Sequence, residues 1–277
     1  MTNKFWALSV LSFGALIFFA ASASADIVIS NNFDGTADPG ETVFQVLDNG
    51  ANGGGGTFDP LTGTVVVGST NGSTTASGFN NVTLATLAPD VDTITATIVV
   101  SSVSDSLFTR SNGFFLGLAT GPAATATDGT ALFNNNPAAI GLIINSPTGL
   151  TGAIDETRIV TDAIDGGPQV QVGPNNLATA ASIDDGFTLE LTLNSDGTLD
   201  ASTTGLSTEI DLTGEAFSGP SFADFVSGGV GVLTSFQGGG ASYTIDSVTV
   251  HASAVPEPTS LALLGLASLG LVTRRRR

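Results

Sequence analysis

Apolar and polar positions alternate through much of the middle of this chain. Ile94, Ala96, Ile98 and Val100 fall on one side of an extended segment, with Thr93, Thr95, Thr97 and Ser101 on the other. That period of two predicts a half-buried strand over 93–103. Phe187, Leu189, Leu191 and Leu193 alternate in the same way with Thr188, Glu190 and Thr192. The turn residues Asn194-Ser195-Asp196-Gly197 then reverse the chain into a second strand, Thr198 to Ser202, which is a hairpin signature. In Ser242 to His251, Tyr243 and Ile245 share one parity, whereas Val248 and Val250 share the other. A bulge near Asp246-Ser247 reconciles the two halves as one strand.

Shorter segments fill in the rest. Asp26 to Ser30, Thr42 to Leu47, Thr64 to Gly68, Phe114 to Leu118, Ile140 to Ile144, Ala153 to Val160 and Gly229 to Leu233 read as further strands. Turn chemistry separates them, as at Asn32-Phe33-Asp34-Gly35 and Asp38-Pro39-Gly40. Asn49 to Gly56, Ser69 to Ser77 and Gly121 to Pro137 read as loops, and one helical turn is expected within 217–225. Many short strands and almost no helical period predict an all-β fold, a two-sheet antiparallel sandwich of jelly-roll type.

The two ends of the chain are patterned differently. Lys4 precedes an apolar run from Phe5 to Ala21, and Ala23-Ser24-Ala25 is a small-residue box ahead of Asp26. Residues 1–25 therefore read as a secretory signal peptide cut after Ala25, with an uncleaved N-terminal anchor as the alternative. At the other end, Thr259 to Val272 carries no charge and no proline. As a helix its length is about 21 Å, short of a hydrocarbon core of roughly 30 Å, so it spans only with local thinning of the bilayer. Arg274, Arg275, Arg276 and Arg277 form a cytoplasmic stop that leaves the preceding chain outside. Pro256-Glu257-Pro258, unable to continue a helix or pair in a sheet, is an extended segment that an enzyme can grip.

In order, the tripeptide, apolar helix and basic end resemble the PEP-CTERM sorting signal of exopolysaccharide-producing Gram-negative bacteria. The resemblance implies recognition and processing at Pro256, Glu257 and Pro258 by an integral-membrane exosortase. It implies export by signal peptidase and the secretion machinery, a transient anchor in the inner membrane, and a final place at the cell surface or in the matrix. A plain tail anchor is the alternative. The domains expected are thus 1–25, 26–254 and 255–277. More weakly, Asn32-Phe33-Asp34, the hairpin 186–202 and the closing 238–250 segment resemble concanavalin-like or laminin-G-like sandwiches.

Once both ends are set aside, charge changes the picture. The 26–254 segment keeps 24 acids against Arg110 and Arg158, a formal charge of −22. Nucleic acid and anionic membrane surfaces are excluded as partners, because the phosphate-driven attraction becomes repulsion. Cysteine is absent, so an exported domain of this length must be held by its own core rather than by disulfides.

Candidate chemistry is sparse. Glu209-Ile210-Asp211-Leu212-Thr213-Gly214-Glu215 resembles the Glu-x-Asp-x-x-Glu strand of family-16 glycoside hydrolases, whose two carboxylates flank the scissile bond. Here the last acid sits one position late, and one residue moves a strand side chain to the opposite face. Glu215 thus departs from the family's place for the second carboxylate, which puts its joining Glu209 over a cleft in doubt. The 26–254 segment also has no tryptophan to line sugar subsites. His251 is the single histidine and reads as a solvated residue beside the tail linker, which leaves no nucleophile-base pair. Without Cys and with one His, zinc and most transition metals lack their ligands. Calcium takes oxygen, and Asp34 and Asp246 would approach one another if the first and last strands pair; no cofactor is expected, the two residues reading first as ordinary surface carboxylates, with a calcium site there as the alternative. No catalytic residue is assigned. The expectation is a non-catalytic, exosortase-sorted protein of the surface, exopolysaccharide or biofilm matrix. A calcium-assisted, lectin-like glycan-binding module is the alternative, and a glycoside hydrolase a remote one.

Overall fold

The structure, a computed structural model, describes residues 25–44, 46–48, 57–66, 80–81, 84–103, 113–120, 139–145, 156–162, 170–176, 185–237 and 242–254. Ser24–Val255 makes one compact unit. Its strands in chain order are β1 (Ala25–Asn31), β2 (Val46–Asp48), β3 (Thr57–Asp59), β4 (Thr64–Val66), β5 (Asn80–Asn81), β6 (Val91–Val103), β7 (Gly113–Thr120) and β8 (Ala139–Asn145). There follow β9 (Glu156–Asp162), β10 (Val170–Asn176), β11 (Phe187–Asn194), β12 (Thr198–Thr204), β13 (Asp211–Ala216), the helix α1 (Phe222–Gly228), β14 (Val230–Gln237) and β15 (Ser242–Ala254).

They form two large antiparallel sheets. The eight-stranded sheet runs β13-β12-β11-β6-β15-β4-β3, with β1 also paired to β15. The five-stranded sheet runs β10-β9-β8-β7-β14, and β2 pairs β5 in a small ribbon. The buried residues of both sheets form one hydrophobic core, which makes the fold the expected two-sheet sandwich.

Alternation in the sequence becomes alternation of burial in the eight-stranded sheet. Across three strands Leu189, Ile98 and Val248 lie opposite one another and are fully buried. On the outward side Thr192, Thr95 and His251 form the corresponding row, and the two threonine hydroxyls are 3.0 Å apart. The hairpin β11-β12 turns at Asn194–Gly197 as its residues predict, Gly197 supplying the positive φ of 84°. In β15 the register shifts between Thr244 and Ile245 and again between Ile245 and Ser247. Asp246 is thereby taken out of the ladder, and Tyr243, Ile245, Val248 and Val250 all face the core.

Strands β7 and β8 of the five-stranded sheet have no such alternation, because both of their faces are covered. Consecutive residues Phe115 to Thr120 of β7 and Ala139 to Ile144 of β8 are buried. Strands covered on both sides read as continuous apolar runs. Part of the cover is α1, which packs on β7 through Phe222 and Phe225, and Thr120 Oγ1 donates to the Asp224 carbonyl at 2.7 Å. A reciprocal cap starts this helix: Ser221 Oγ accepts from the Asp224 amide, while the Asp224 carboxylate accepts from the Ser221 amide.

Several expectations need correction. The strand over 42–47 is irregular backbone to Phe44, with only Val46–Asp48 paired, because Thr42 folds back on β1: its amide donates to the Ser30 carbonyl at 2.7 Å. The helical turn expected within 217–225 begins later, at Phe222. The loops expected over 49–56, 69–77 and 121–137 lie outside the described residues. So do the signal segment before Ala25 and the tail beyond Ala254. Among the described residues no helix is long and apolar enough to cross a membrane.

Candidate functional site

Three places gather the residues singled out by sequence. The first is the loop after β1. Asn31, itself buried, accepts from the Phe33 amide through Oδ1 at 2.7 Å and donates through Nδ2 to the Thr42 carbonyl at 2.9 Å. This grip holds Phe33 in the left-handed region at φ 47°, turned inward beside Phe44 and Phe58 with ring centroids 5.3 and 6.2 Å away. The turn Pro60–Gly63 closes over it: the Gly35 amide donates to the Leu61 carbonyl, and the Ile245 amide donates to the Gly63 carbonyl.

Above the buried rings sits a polar rim. Thr36 donates to the Asp34 carboxylate from both its amide and its hydroxyl, at 2.9 and 2.6 Å. Glu41 accepts from the amides of Asn32 and Asp38. The Thr36 hydroxyl is the main cause of the lowering of the Asp34 pKa below its ordinary value, and the Leu61 amide does the same for Asp59. Asp34 and Asp59 are exposed, Glu41 is half-buried, and all three are spent on local turns.

For the calcium expectation, β1 and β15 do pair, with Asn31 opposite Val248, so Asp34 and Asp246 both flank the end of that ladder. Asp246 is exposed on the bulge. Among the described residues no group of three or more His, Cys, Asp or Glu comes together as a metal site.

The second place is the acidic stretch before and along β13. Ser202 pairs with Asp211 on the outward face, and Leu199, fully buried, pairs with Glu215. One extra residue on β13 between these pairs makes a bulge at Thr213-Gly214, where Gly214 has φ 66° and its amide donates to the Asp200 carboxylate at 2.6 Å. The bulge sends Asp211 and Glu215 to opposite faces of the sheet. Glu209 lies before the strand and is exposed. Asp211 and Glu215 therefore do not form a pair across one cleft, the arrangement that glycoside hydrolysis requires.

The third place is the end of β15. His251, expected as a solvated linker residue, is instead a member of the ladder, between Thr95 of β6 and Ile27 of β1. It is half-buried, and its Nδ1 is buried with no hydrogen-bond partner. The first and last strands meet here: Ala25 stands opposite Ser253, and Asp26 opposite Ala252. Ala23, Pro256, Glu257, Pro258, Arg274, Arg275, Arg276 and Arg277 lie outside the described residues.

Sequence reasoning missed the polar link in the core. Tyr243 on β15 is fully buried, and its hydroxyl is hydrogen-bonded to Thr234 Oγ1 on β14, joining one sheet to the other. A buried Tyr with a hydroxyl to satisfy was the available signal, since such groups seldom go unpaired. Its partner lies on the other sheet and cannot be read from the strand pattern.

The described residues define a two-sheet antiparallel β-sandwich whose last strand ends at Ala254. Residues 254–277 match the PEP-CTERM protein-sorting motif, beginning on the last residue of β15. The chain thus carries a sorting signal of exported proteins, directing it to an exosortase and the cell surface. No curated protein matches the chain. Among solved structures, it is similar to the CBM2 module of the evolved Dit protein of Lactobacillus casei BL23 phage J-1, at 15% identity over 84% of this chain and 98% of that one, TM-score 0.47. It is also similar to the lectin of Bauhinia forficata in complex with GalNAc, at 12% identity over 84% and 100%, TM-score 0.47. A third similar structure is the endo-1,3-beta-glucanase of Streptomyces sioyaensis, at 11% identity over 83% and 97%, TM-score 0.48.

Proposed function

We propose that this is a non-catalytic protein of the cell surface or extracellular matrix. It is exported, processed at Pro256-Glu257-Pro258, and associated with exopolysaccharide and biofilm, where its sandwich serves as a stable spacer or cohesion unit. The observation that carries the proposal is the match of residues 254–277 to the sorting motif. The described surface supports a spacer over a sugar-binding module. Phe33, Phe44 and Phe58 are turned into the core beneath the polar rim. The large apolar side chains exposed among the described residues are Ile27, Val43, Leu61 and Val170, none of them an aromatic platform on which a sugar ring would stack. The formal charge of −22 over 26–254 keeps such a unit soluble and away from anionic polymers. Asp34 and Asp246 would supply only part of the six to eight oxygen donors that calcium takes, so a cation is left out of this reading.

The test is the intact mass of the protein recovered from the cell surface and medium, beside a variant carrying Pro256→Ala, Glu257→Ala and Pro258→Ala. The wild type is expected to have lost the apolar segment and Arg277, and the variant to have kept both. If the two proteins alike retain Arg277 and stay with the membrane, the tail is a plain anchor and the proposed role falls with it.

A further inference from the structure

The outward side of the eight-stranded sheet is a polar surface of a different kind from the acidic turns. Across four of its strands the register lines up two central rows. One is Asp200 on β12, Thr192 on β11, Thr95 on β6 and His251 on β15. The next is Ser202, Glu190, Thr97 and Thr249 on the same strands. Rows on either side add Thr188 and Ser247, Thr93 and Ser253.

Hydroxyls dominate this face and charge is thin on it. β12, β11, β6 and β15 hold no Lys or Arg, and of the 24 acids in 26–254 only Glu190 and Asp200 stand in these rows. Others, among them Asp34, Asp59, Asp196, Asp211 and Asp246, are exposed on turns, on the edge strand β13 or on the β15 bulge. A chain of formal charge −22 repels its own copies, and does so least where its acids are fewest. Threonine is stiff at χ1, and Thr95 and Thr192 are tied hydroxyl to hydroxyl, so the surface is preorganised. His251 supplies a complement to the two acids. Its ring is half-buried with Nδ1 buried and unpartnered, which leaves the Nε2 side to donate to an incoming carboxylate.

We propose that this face is a contact between two copies of the chain, related by a two-fold axis that lies in the contact and runs along the strands between β11 and β6. The proposal rests on the reading of the sandwich as a spacer or cohesion unit and chooses cohesion. An isologous contact uses the same patch on both copies. The axis lays β12 of one copy over β15 of the other, and β11 over β6. Asp200 then meets His251 of the second copy, Glu190 meets the Thr97 hydroxyl, and Thr192 meets Thr95. Neither acid meets an acid. Packed sheets cross at about 30° because each is twisted, so these pairings are closest beside the axis. Four strands about 4.8 Å apart, each with four outward residues about 7 Å apart, make a patch of roughly 500 Å² on each copy. The total of roughly 1,000 Å² is the threshold of a specific interface, so the contact is weak singly and gains where many copies crowd together.

The test is sedimentation velocity of the full-length chain in detergent over a dilution series, with strand content checked by circular dichroism. Wild type is expected to pass from monomer to dimer as concentration rises. Thr95→Glu adds a charge beside the axis, and Ser227→Glu adds the same charge at an exposed position of α1, on the other sheet. The dissociation constant should rise at least about tenfold for Thr95→Glu and stay within about twofold for Ser227→Glu. The chain has no cysteine, so Ser202→Cys and Thr249→Cys place single thiols that the axis brings together. A short bismaleimide should join these two variants when they are mixed and neither variant to itself. Equal dissociation of Thr95→Glu and wild type, or crosslinking as strong in either variant alone, would overturn the proposal. So would a wild type that stays monomeric; if that monomer co-sediments with dextran and Thr95→Glu does not, the face belongs to a neutral polysaccharide. The sorting role is decided separately, by the mass of the processed chain. A monomer that has lost its tail is an exported spacer without cohesion, whereas a dimer that keeps Arg277 retains the contact and refutes the sorting.

Discussion

Tyr243 offers the sharpest test of what holds the two sheets together. Its ring lies among core side chains and its hydroxyl meets Thr234 Oγ1, both residues being at most 1% exposed. Tyr243→Phe keeps the ring and its buried area and removes one oxygen. The loss is then that of a buried hydrogen bond, with Thr234 Oγ1 left without that partner. Leaving a buried polar group unsatisfied costs about 1–3 kcal/mol. For a domain of this size each kcal/mol moves the midpoint by roughly 2–4 °C, so a fall of about 2–12 °C is expected in a thermal melt followed by circular dichroism. Thr234→Val is nearly the same shape, and the double variant removes both partners together. Because removing the second partner relieves the isolated one, the double variant should be more stable than the sum of the single losses predicts, by about 1 kcal/mol or more. If the two losses add within about 0.5 kcal/mol, the limit for independent sites, the link contributes nothing and this account of the core is wrong.

Three further outcomes are expected. Burial holds the Tyr243 phenol neutral by raising its pKa far above the ordinary 10.0, so stability is full below pH 10 and is lost above it at about 1.4 kcal/mol per pH unit as the unfolded state ionises. With one tyrosine in the chain, tyrosinate absorbance should rise only together with loss of the fold, and a titration near pH 10 with the fold intact would show the phenol to be accessible. Gly63→Ala should be costly, because Gly63 has φ 63° and a Cβ there would stand 2.0 Å from the Ile245 carbonyl oxygen and 2.9 Å from Phe33 Cγ. Gly197→Ala, at φ 84° with nothing within 4 Å, carries the backbone cost of about 1–2 kcal/mol alone, and urea titration should separate the two by a further 1 kcal/mol or more. Chelation with EDTA should leave the melting midpoint unchanged, and a drop of several degrees that calcium restores would establish a cation site at Asp34, Asp246 or elsewhere.

Much of the eight-stranded sheet was legible because one of its faces is wet. The threonines of β6 and the threonines and Glu190 of β11 mark that face, and the parity switch in β15 announced the bulge at Asp246. Strands that lack such contrast were harder to place. Phe115 to Thr120 is buried throughout, so the run identified a core strand without indicating what lies on its second side. Thr57–Asp59, Asn80–Asn81 and Val170–Asn176 were not anticipated: the first two are too short to carry a period, and the third contains Gly173 and Pro174. The irregular path from Thr42 to Phe44 follows from hydrogen bonds to Ser30 and Asn31, residues distant enough that local propensity says nothing about them.

By itself the sequence determined the sorting tail, because a tripeptide, an apolar run and four arginines act through composition and order and need no folded partner. It also determined an all-β body, since a period of two survives in any strand with one exposed face. Tertiary structure decided what the isolated motifs amount to. A bulge at Thr213-Gly214 sends Asp211 and Glu215 to opposite faces, and pairing with β6 and β1 draws His251 out of the linker into the sheet. Tyr243 finds Thr234 only when the two sheets close. Each of these depends on register and on which strands become neighbours, and those are set by burying one shared core, a property of the whole chain rather than of any segment of it.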